Sequence, residues 1–236
     1  MTIYDNFRKK WRLVTFDQIS PNGKWQKIFG GPPPWETTDT SSQGVTDRGI
    51  FHTYPYIAVY SGNNTDSSMT VSTQTFTNFD LTFQMRTKRA LKTTFQQVWE
   101  TAWLFWHYNE NGHDHSVLGA FLNYYYMHID TNGHIQVNRK DSATIDQTRF
   151  LAGTFGQEPT LTWNYAQWYK IRLRHEGNHI QLWVDDVLKF DKVDDGTLID
   201  EIGTIPAPSA RVSSGKFALY TEDAEAEYKP LDITVI

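Results

Sequence analysis

The sequence predicts an all-β chain, a two-sheet antiparallel jelly-roll sandwich spanning residues 1–236 as one domain. Three observations carry this. Short segments alternate apolar and polar residues with a period of two, the mark of a strand with one solvated face. Turn residues punctuate those segments along the chain, the pattern of a sandwich or barrel. No stretch sustains a helical period with caps. A length of 236 residues is ordinary for one such unit.

The elements follow in order. Residues 30–49 (GGPPPWETTDTSSQGVTDRG) are rich in turn formers and read as a long loop. Residues 79–87 (FDLTFQMRT) alternate, with Phe79, Leu81, Phe83 and Met85 on one side. Residues 98–109 (VWETAWLFWHYN) read as a central strand covered on both faces. Trp99, Thr101, Trp103, Phe105 and His107 fall on one face, and Glu100, Ala102, Leu104, Trp106 and Tyr108 on the other. In residues 121–130 (FLNYYYMHID), Tyr124, Tyr126, His128 and Asp130 oppose Tyr125, Met127 and Ile129. Residues 169–175 and 179–185 form a hairpin about Glu176-Gly177-Asn178, and Asp185-Asp186 is a second tight turn. Residues 191–214 read as an acidic, proline-containing loop, and residues 215–220 and 231–235 as closing strands.

Composition narrows the function. The net charge is −5 with no basic stripe, which argues against nucleic acid as the partner. No apolar run approaches the roughly 20 residues that span a bilayer, so no membrane partner is expected. There is no cysteine for disulfides or thiolate metal sites. Residues 1–12 lack the apolar segment of a secretory signal, so an extracellular place is expected for a mature form and a cytoplasmic one otherwise. Aromatic residues make up 15% of the chain and include nine tryptophans, more than a core of this size requires. Tryptophan collects where one side is apolar and the other wet, as in ligand clefts. A carbohydrate partner is therefore expected, held on an aromatic sheet face.

The expected site lies on the two aromatic strands. Trp99, Trp103, Trp106, His107, Tyr108 and Tyr124 are candidate sugar platforms; Arg86, Lys88 and Arg89, with Arg139 and Lys140, are candidate contacts for an acidic glycan and equally ordinary surface charges. Glu100, the carboxylate inside the first strand, suits a general acid whose pKa burial raises, and equally a structural, hydrogen-bonded glutamate. Tyr126 and His128 are the residue types that move protons in an elimination. His113 and His115, at i and i+2, are candidate metal ligands. The acidic run Asp191, Asp194, Asp195, Asp200 and Glu201 is a candidate for a structural calcium.

Several stretches, in order, resemble a known superfamily: Phe79-Asp80-Leu81, Trp99-Glu100-Thr101-Ala102-Trp103, Thr131-Asn132-Gly133, residues 147–152 (QTRFLA), 167–172 (QWYKIR), 177–185 (GNHIQLWVD) and 215–223 (GKFALYTED). The chain resembles the concanavalin A-like lectin/glucanase superfamily over residues 76–235, and within it the laminin-G-like and 3-keto-disaccharide-hydrolase type. That resemblance implies a jelly roll and a glycan partner. It implies cleavage by paired carboxylates for the glucanases, whose Glu-x-Asp-x-x-Glu strand is absent here: Thr101 and Ala102 follow Glu100. For the jelly-roll lyases it implies Arg, Gln-x-His and Tyr strands, of which Gln84-Met85-Arg86 and Tyr124 to His128 are partial counterparts. The expectation is a carbohydrate-binding protein; the alternative is a glycoside hydrolase or polysaccharide lyase using Glu100 or the Tyr126/His128 pair.

Overall fold

Alternation along the strands sorts the side chains as expected, and an all-β sandwich forms. The structure, a computed structural model, describes residues 2–5, 11–13, 18–29, 42–45, 50–54, 67–92, 96–110, 122–141, 147–150, 158–195, 199–200, 203–204 and 212–236. Among these are nineteen strands and no helix. They are β1 (Thr2–Asp5), β2 (Trp11–Leu13), β3 (Trp25–Phe29), β4 (Ser42–Val45), β5 (Phe51–Tyr54), β6 (Ser67–Ser72), β7 (Phe79–Ala90), β8 (Ala102–Glu110), β9 (Leu122–Ile129) and β10 (Ile135–Asp141). Then follow β11 (Gln147–Phe150), β12 (Tyr169–Glu176), β13 (His179–Val184), β14 (Val187–Val193), β15 (Ile199–Asp200), β16 (Gly203–Thr204), β17 (Lys216–Glu222), β18 (Ala224–Tyr228) and β19 (Leu231–Val235).

The first sheet runs β14-β13-β12-β7-β18-β5-β4-β2, with β19 paired to β7 and β1 to β19. The second runs β16-β15-β11-β10-β9-β8-β17-β6-β3. The pairings are antiparallel throughout. Between the sheets, Leu81, Phe83, Ile171 and Leu173 of the first meet Leu104, Met127, Val137 and Leu219 of the second in one buried cluster. Each fully buried side chain of this size contributes about 1.5–3 kcal/mol.

Two polar features also tie the sheets. The Thr70 hydroxyl donates to Gln43 Oε1 at 2.6 Å, and the Thr53 and Ser68 hydroxyls meet at 2.7 Å. Arg139 pairs with Asp194, both fully buried, and the Tyr125 hydroxyl donates to the same carboxylate at 2.7 Å.

The tight turns use the residues that tolerate a left-handed backbone. Asp185 (φ 50°) and Asp186 (φ 65°) close the β13–β14 hairpin. Asp223 (φ 48°) alone connects β17 in the second sheet to β18 in the first. At Gly133 (φ 86°) a Cβ would lie 2.1 Å from the Leu161 carbonyl oxygen, so the turn between β9 and β10 requires glycine.

Three boundaries differ from expectation. The loop expected over residues 191–214 contains the end of β14 and the short strands β15 and β16, which pair with each other. The loop expected over residues 30–49 contains β4, which pairs with β5 and buries Gln43 and Val45. Its ladder and burial outweigh its turn-rich composition. The strand expected from residue 98 begins at Ala102, because residues 98–99 turn and Thr131 N–H donates to the Val98 carbonyl at 2.9 Å.

Candidate functional site: an aromatic face on the second sheet

The second sheet carries its inward side chains in the core and a second cluster on its outward side. Antiparallel register builds that outward cluster row by row. One row reads Met69, Tyr220, Trp103, His128, Gln136 across β6, β17, β8, β9 and β10. The next reads Val71, Ala218, Phe105, Tyr126, Asn138 on the same strands. Tyr108 and Tyr124 lie beyond them, ring centroids 5.9 Å apart. Side chains opposite each other in a ladder are close enough for aromatic pairs to stack.

They do stack. Trp103 lies over His128 at 4.0 Å with planes 6° apart, and over Tyr126 at 5.0 Å. Phe105 stacks on Tyr124 at 4.7 Å and on Tyr220 at 5.1 Å. Phe105, Tyr126 and Tyr220 are buried; Trp103 and Gln136, in the first row, are partly exposed. That row is the accessible edge of the face.

The polar groups of the Trp103–Gln136 row include an imidazole and an amide, with Asn138 and Glu222 beside them. Burial holds the His128 imidazole down to about 4, against weaker upward pulls from Gln136 and Asp130, so it is neutral near pH 7. Its Nε2–H donates to Gln136 Oε1 at 3.0 Å. Asn138 Nδ2 reaches the same oxygen at 3.5 Å, while Asn138 Oδ1 is buried with no partner. The Tyr220 hydroxyl donates to Glu222 Oε2 at 3.1 Å.

A bulge decides which residues of β8 reach this face. Its register against β9 shifts between Trp106 and Asn109, and His107 takes φ 50°. Trp106 and His107 consequently both turn inward, and Tyr108 returns to the aromatic face. Trp106 Nε1–H donates to His175 Nδ1 at 2.9 Å. Each His107 ring nitrogen lies 2.9 Å from a backbone carbonyl, of Val212 and of Thr77, and burial lowers its pKa. Gly215 lets the neighbouring strand approach: a Cβ there would sit 2.3 Å from the His107 carbonyl carbon.

The structure thus brings together Trp103, Tyr108, Tyr124, Tyr126 and His128 of the expected residues. It places Trp106 and His107 in the core, a correction that follows from the bulge, since unbroken alternation put these two on opposite faces. Arg86 is also corrected. It stands on the outward face of the first sheet, where its Nε–H donates to Glu227 Oε2 at 2.7 Å and its guanidinium covers Trp168 at 4.5 Å. Arg139 is corrected too, because it points inward to Asp194. Trp99 is 41% exposed in the turn before β8, and its carbonyl accepts from Trp103 Nε1–H at 2.8 Å.

Glu100 is off the aromatic face and 1% exposed. Lys92 Nζ donates to Glu100 Oε1 at 3.3 Å and to Asp223 Oδ2 at 3.5 Å, so a second carboxylate stands beside it. Glu100 Oε2 is buried without a partner. Burial first, then the Glu100 charge, push Asp223 up to about 6 against the pull of Lys92.

Among the described residues, the candidate metal ligands already have other partners, while the Asp200 side chain and Glu201 lie outside the described residues. His113 and His115 lie outside the described residues. Asp194 is committed to Arg139 and Tyr125, and Asp191 accepts from His179 and Gln181. His52, Glu225 and Glu227 bring ligating atoms within 4.8 Å of one another, but Arg86, Lys88 and Arg89 already donate to those carboxylates.

Gln136, Asn138, Tyr220, Glu222 and Asp223 escaped the sequence reading. Their signal was present as parity along β10 and β17, but parity names a face only once a neighbour's register is known.

Comparison with known proteins agrees with this architecture. A family model described as the 3-keto-alpha-glucoside-1,2-lyase-like domain matches residues 16–234. No curated protein matches the sequence. Among solved structures, a Bacillus licheniformis beta-glucanase is similar with TM-score 0.61 and 13% identity, covering 100% of this chain and 98% of its own. A prokaryotic beta-1,3-1,4-glucanase from a mouse hindgut metagenome has TM-score 0.57 and 12% identity, covering 100% and 99%. The carbohydrate-binding module CBM66 from Bacillus subtilis has TM-score 0.55 and 15% identity, covering 87% and 91%. At these identities the shared property is the fold, a concanavalin A-like jelly roll.

Proposed function

The chain belongs to the 3-keto-alpha-glucoside-1,2-lyase-like family, and from that premise we propose that it binds a poly- or oligosaccharide along the aromatic face of the second sheet. The observation that carries this reading is the row Tyr220, Trp103, His128, Gln136, in which stacked rings end on a partly exposed indole and a partly exposed amide. Aromatic surface covers the CH faces of a pyranose, and a few placed polar groups fix its hydroxyls. The family and fold are those of proteins named for binding or cleaving carbohydrate, which supports the partner class.

Trp103→Ala tests it. Titration against a panel of neutral oligosaccharides is expected to show binding by the parent chain and a loss of about tenfold or more in the variant, roughly 1.4 kcal/mol. Retained affinity in a folded Trp103→Ala chain removes the reading.

Cleavage is a second reading, favoured by the carboxylate pair. Elimination from a 3-keto glucoside needs a base for the proton on C2, acidified by the neighbouring ketone, and an acid for the departing C1 oxygen. Glu100 as base and Asp223 as acid, its proton retained to about pH 6, are suited to those tasks. Their oxygens are no more than about 7 Å apart, the sum of their two contacts to Lys92. Product release from a 3-keto glucoside that survives Glu100→Gln and Asp223→Asn eliminates this pair.

A further inference from the structure

The Trp103–Gln136 row itself holds no described lysine or arginine, and its polar atoms are left in a particular state. Gln136 Oε1 accepts from His128 Nε2–H at 3.0 Å, which orients the Gln136 amide: its NH2 group is the end left over. That NH2 group makes no bond among the described residues. One row deeper on the same strand, Asn138 Oδ1 is buried and has no donor, although Asn138 is 0% exposed. A buried acceptor left unmade costs about 1–3 kcal/mol, and such an orphan in a folded protein marks a missing partner. The pair therefore offers a ligand one donor and one acceptor, two residues apart on β10.

A hydroxyl group meets both demands, because it donates and accepts. A carboxylate or sulfate meets only one, since its oxygens accept and never donate. Placed at Asn138 Oδ1, an anionic oxygen faces another lone pair. Glu222, on the same face in β17, adds a like charge. Of the basic residues that the sequence offered to an acidic glycan, Arg86, Lys88 and Arg89 stand on the other sheet's outward face and Arg139 inside the core. Two lysines of this side stand in register with the tyrosines at the far end from the Trp103–Gln136 row, Lys216 opposite Tyr108 and Lys140 opposite Tyr124.

We infer that Gln136 and Asn138 read the hydroxyls of an uncharged sugar, so that the face takes neutral glycosides and discriminates against uronosyl and sulfated ones. This rests on the aromatic face being the carbohydrate site. Trp103 supplies the platform; Gln136 and Asn138 supply the choice. A sugar entering at the partly exposed first row accepts from Gln136 Nε2 with one hydroxyl; to donate another to Asn138 Oδ1, one row deeper, it must displace the side chains that bury that atom.

The test is calorimetric titration of the full chain with glucose disaccharides in α-1,2, β-1,3 and β-1,4 linkage and with their glucuronosyl-glucose counterparts. At least one neutral disaccharide is expected to bind, with its uronosyl counterpart about tenfold weaker or more, the weight of one net hydrogen bond. Asn138→Leu and Gln136→Met are each expected to weaken the neutral ligand about tenfold and to narrow that preference. Gln136 is partly exposed, so Gln136→Met keeps the test open if Asn138→Leu does not fold. The side-chain amide resonances of both residues are expected to shift with the neutral ligand only. Equal binding of neutral and uronosyl ligands, or an unchanged preference in Gln136→Met, overturns the inference. If Trp103→Ala still abolishes binding in that case, the carbohydrate site itself stands. If no member of the panel binds the parent chain, both fall.

Discussion

The two outward faces of this sandwich are made of the same antiparallel strands and end in opposite states. On the first sheet the outward groups are charged and answer one another. Lys88 and Arg89 donate to Glu225 at 2.6 and 2.7 Å, and His52 lies 2.8 Å from it. Arg172 grips Asp80 through two bonds, at 2.9 and 2.6 Å, and covers the Trp183 ring at 4.6 Å. On the second sheet the outward groups around Trp103 are rings and amides, with Glu222 beside them. The rings satisfy one another by stacking, but the amides at the edge keep atoms without partners. The difference teaches where to look for a ligand. Charges closed into pairs contribute structure, while placed polar atoms left open beside a partly exposed indole are the ones with binding capacity to give.

Truncating the centre of the aromatic face has the largest expected effect. Phe105 is 4% exposed and stacked on two tyrosines, so Phe105→Ala is expected to destabilise the fold by about 3 kcal/mol. Chemical denaturation would measure it. A loss under about 1 kcal/mol would show that this face is an open surface and not a second core.

Glu225→Gln comes next and addresses the other face. Burial alone would raise this carboxyl, but bonds from His52, Lys88 and Arg89 outweigh it and hold its pKa well below the usual range. A carboxylate depressed in the folded state stabilises above its unfolded value, about 4.3, and that contribution is lost as pH falls through the folded value. Glu225→Gln is therefore expected to cost about 1–2 kcal/mol at pH 7, with Lys88 and Arg89 screened by solvent, and the deficit should shrink below about pH 4. A deficit independent of pH would mean that the pairs do not set the stability of this face. Glycan affinity should be unchanged.

The smallest effect is expected at Arg172→Ala. Its pair with Asp80 is exposed, so the loss should stay within about 1 kcal/mol and fall further in high salt. A larger, salt-insensitive loss would point to its packing on Trp183 as the dominant contribution.

Much of the architecture was legible in the residues. Phe79 to Met85 and Tyr169 to His175 alternate so cleanly that their inward faces could be named in advance, and they pair residue for residue, Leu81 opposite Leu173 and Phe83 opposite Ile171. Asp185-Asp186 and Gly177-Asn178 announced their turns because left-handed backbone restricts which residues serve there. The candidate site was legible in part. Tyr124, Tyr126 and His128 share a face because β9 alternates without interruption between them. β8 does not, and one residue in a left-handed conformation at His107 was enough to exchange the faces of His107 and Tyr108.

The sequence by itself determined the strand period, the turns and the density of rings on two neighbouring strands. These are local properties, set by backbone sterics and by the twofold alternation of side chains. Only the tertiary structure decided which ring faces outward, that Arg139 closes on Asp194 inside the core, and that Gln136 and Asn138 stand beside Trp103 and Tyr220. Those outcomes depend on the register between strands far apart in the chain. A slip of one residue in any of those pairings would turn every side chain to the opposite face.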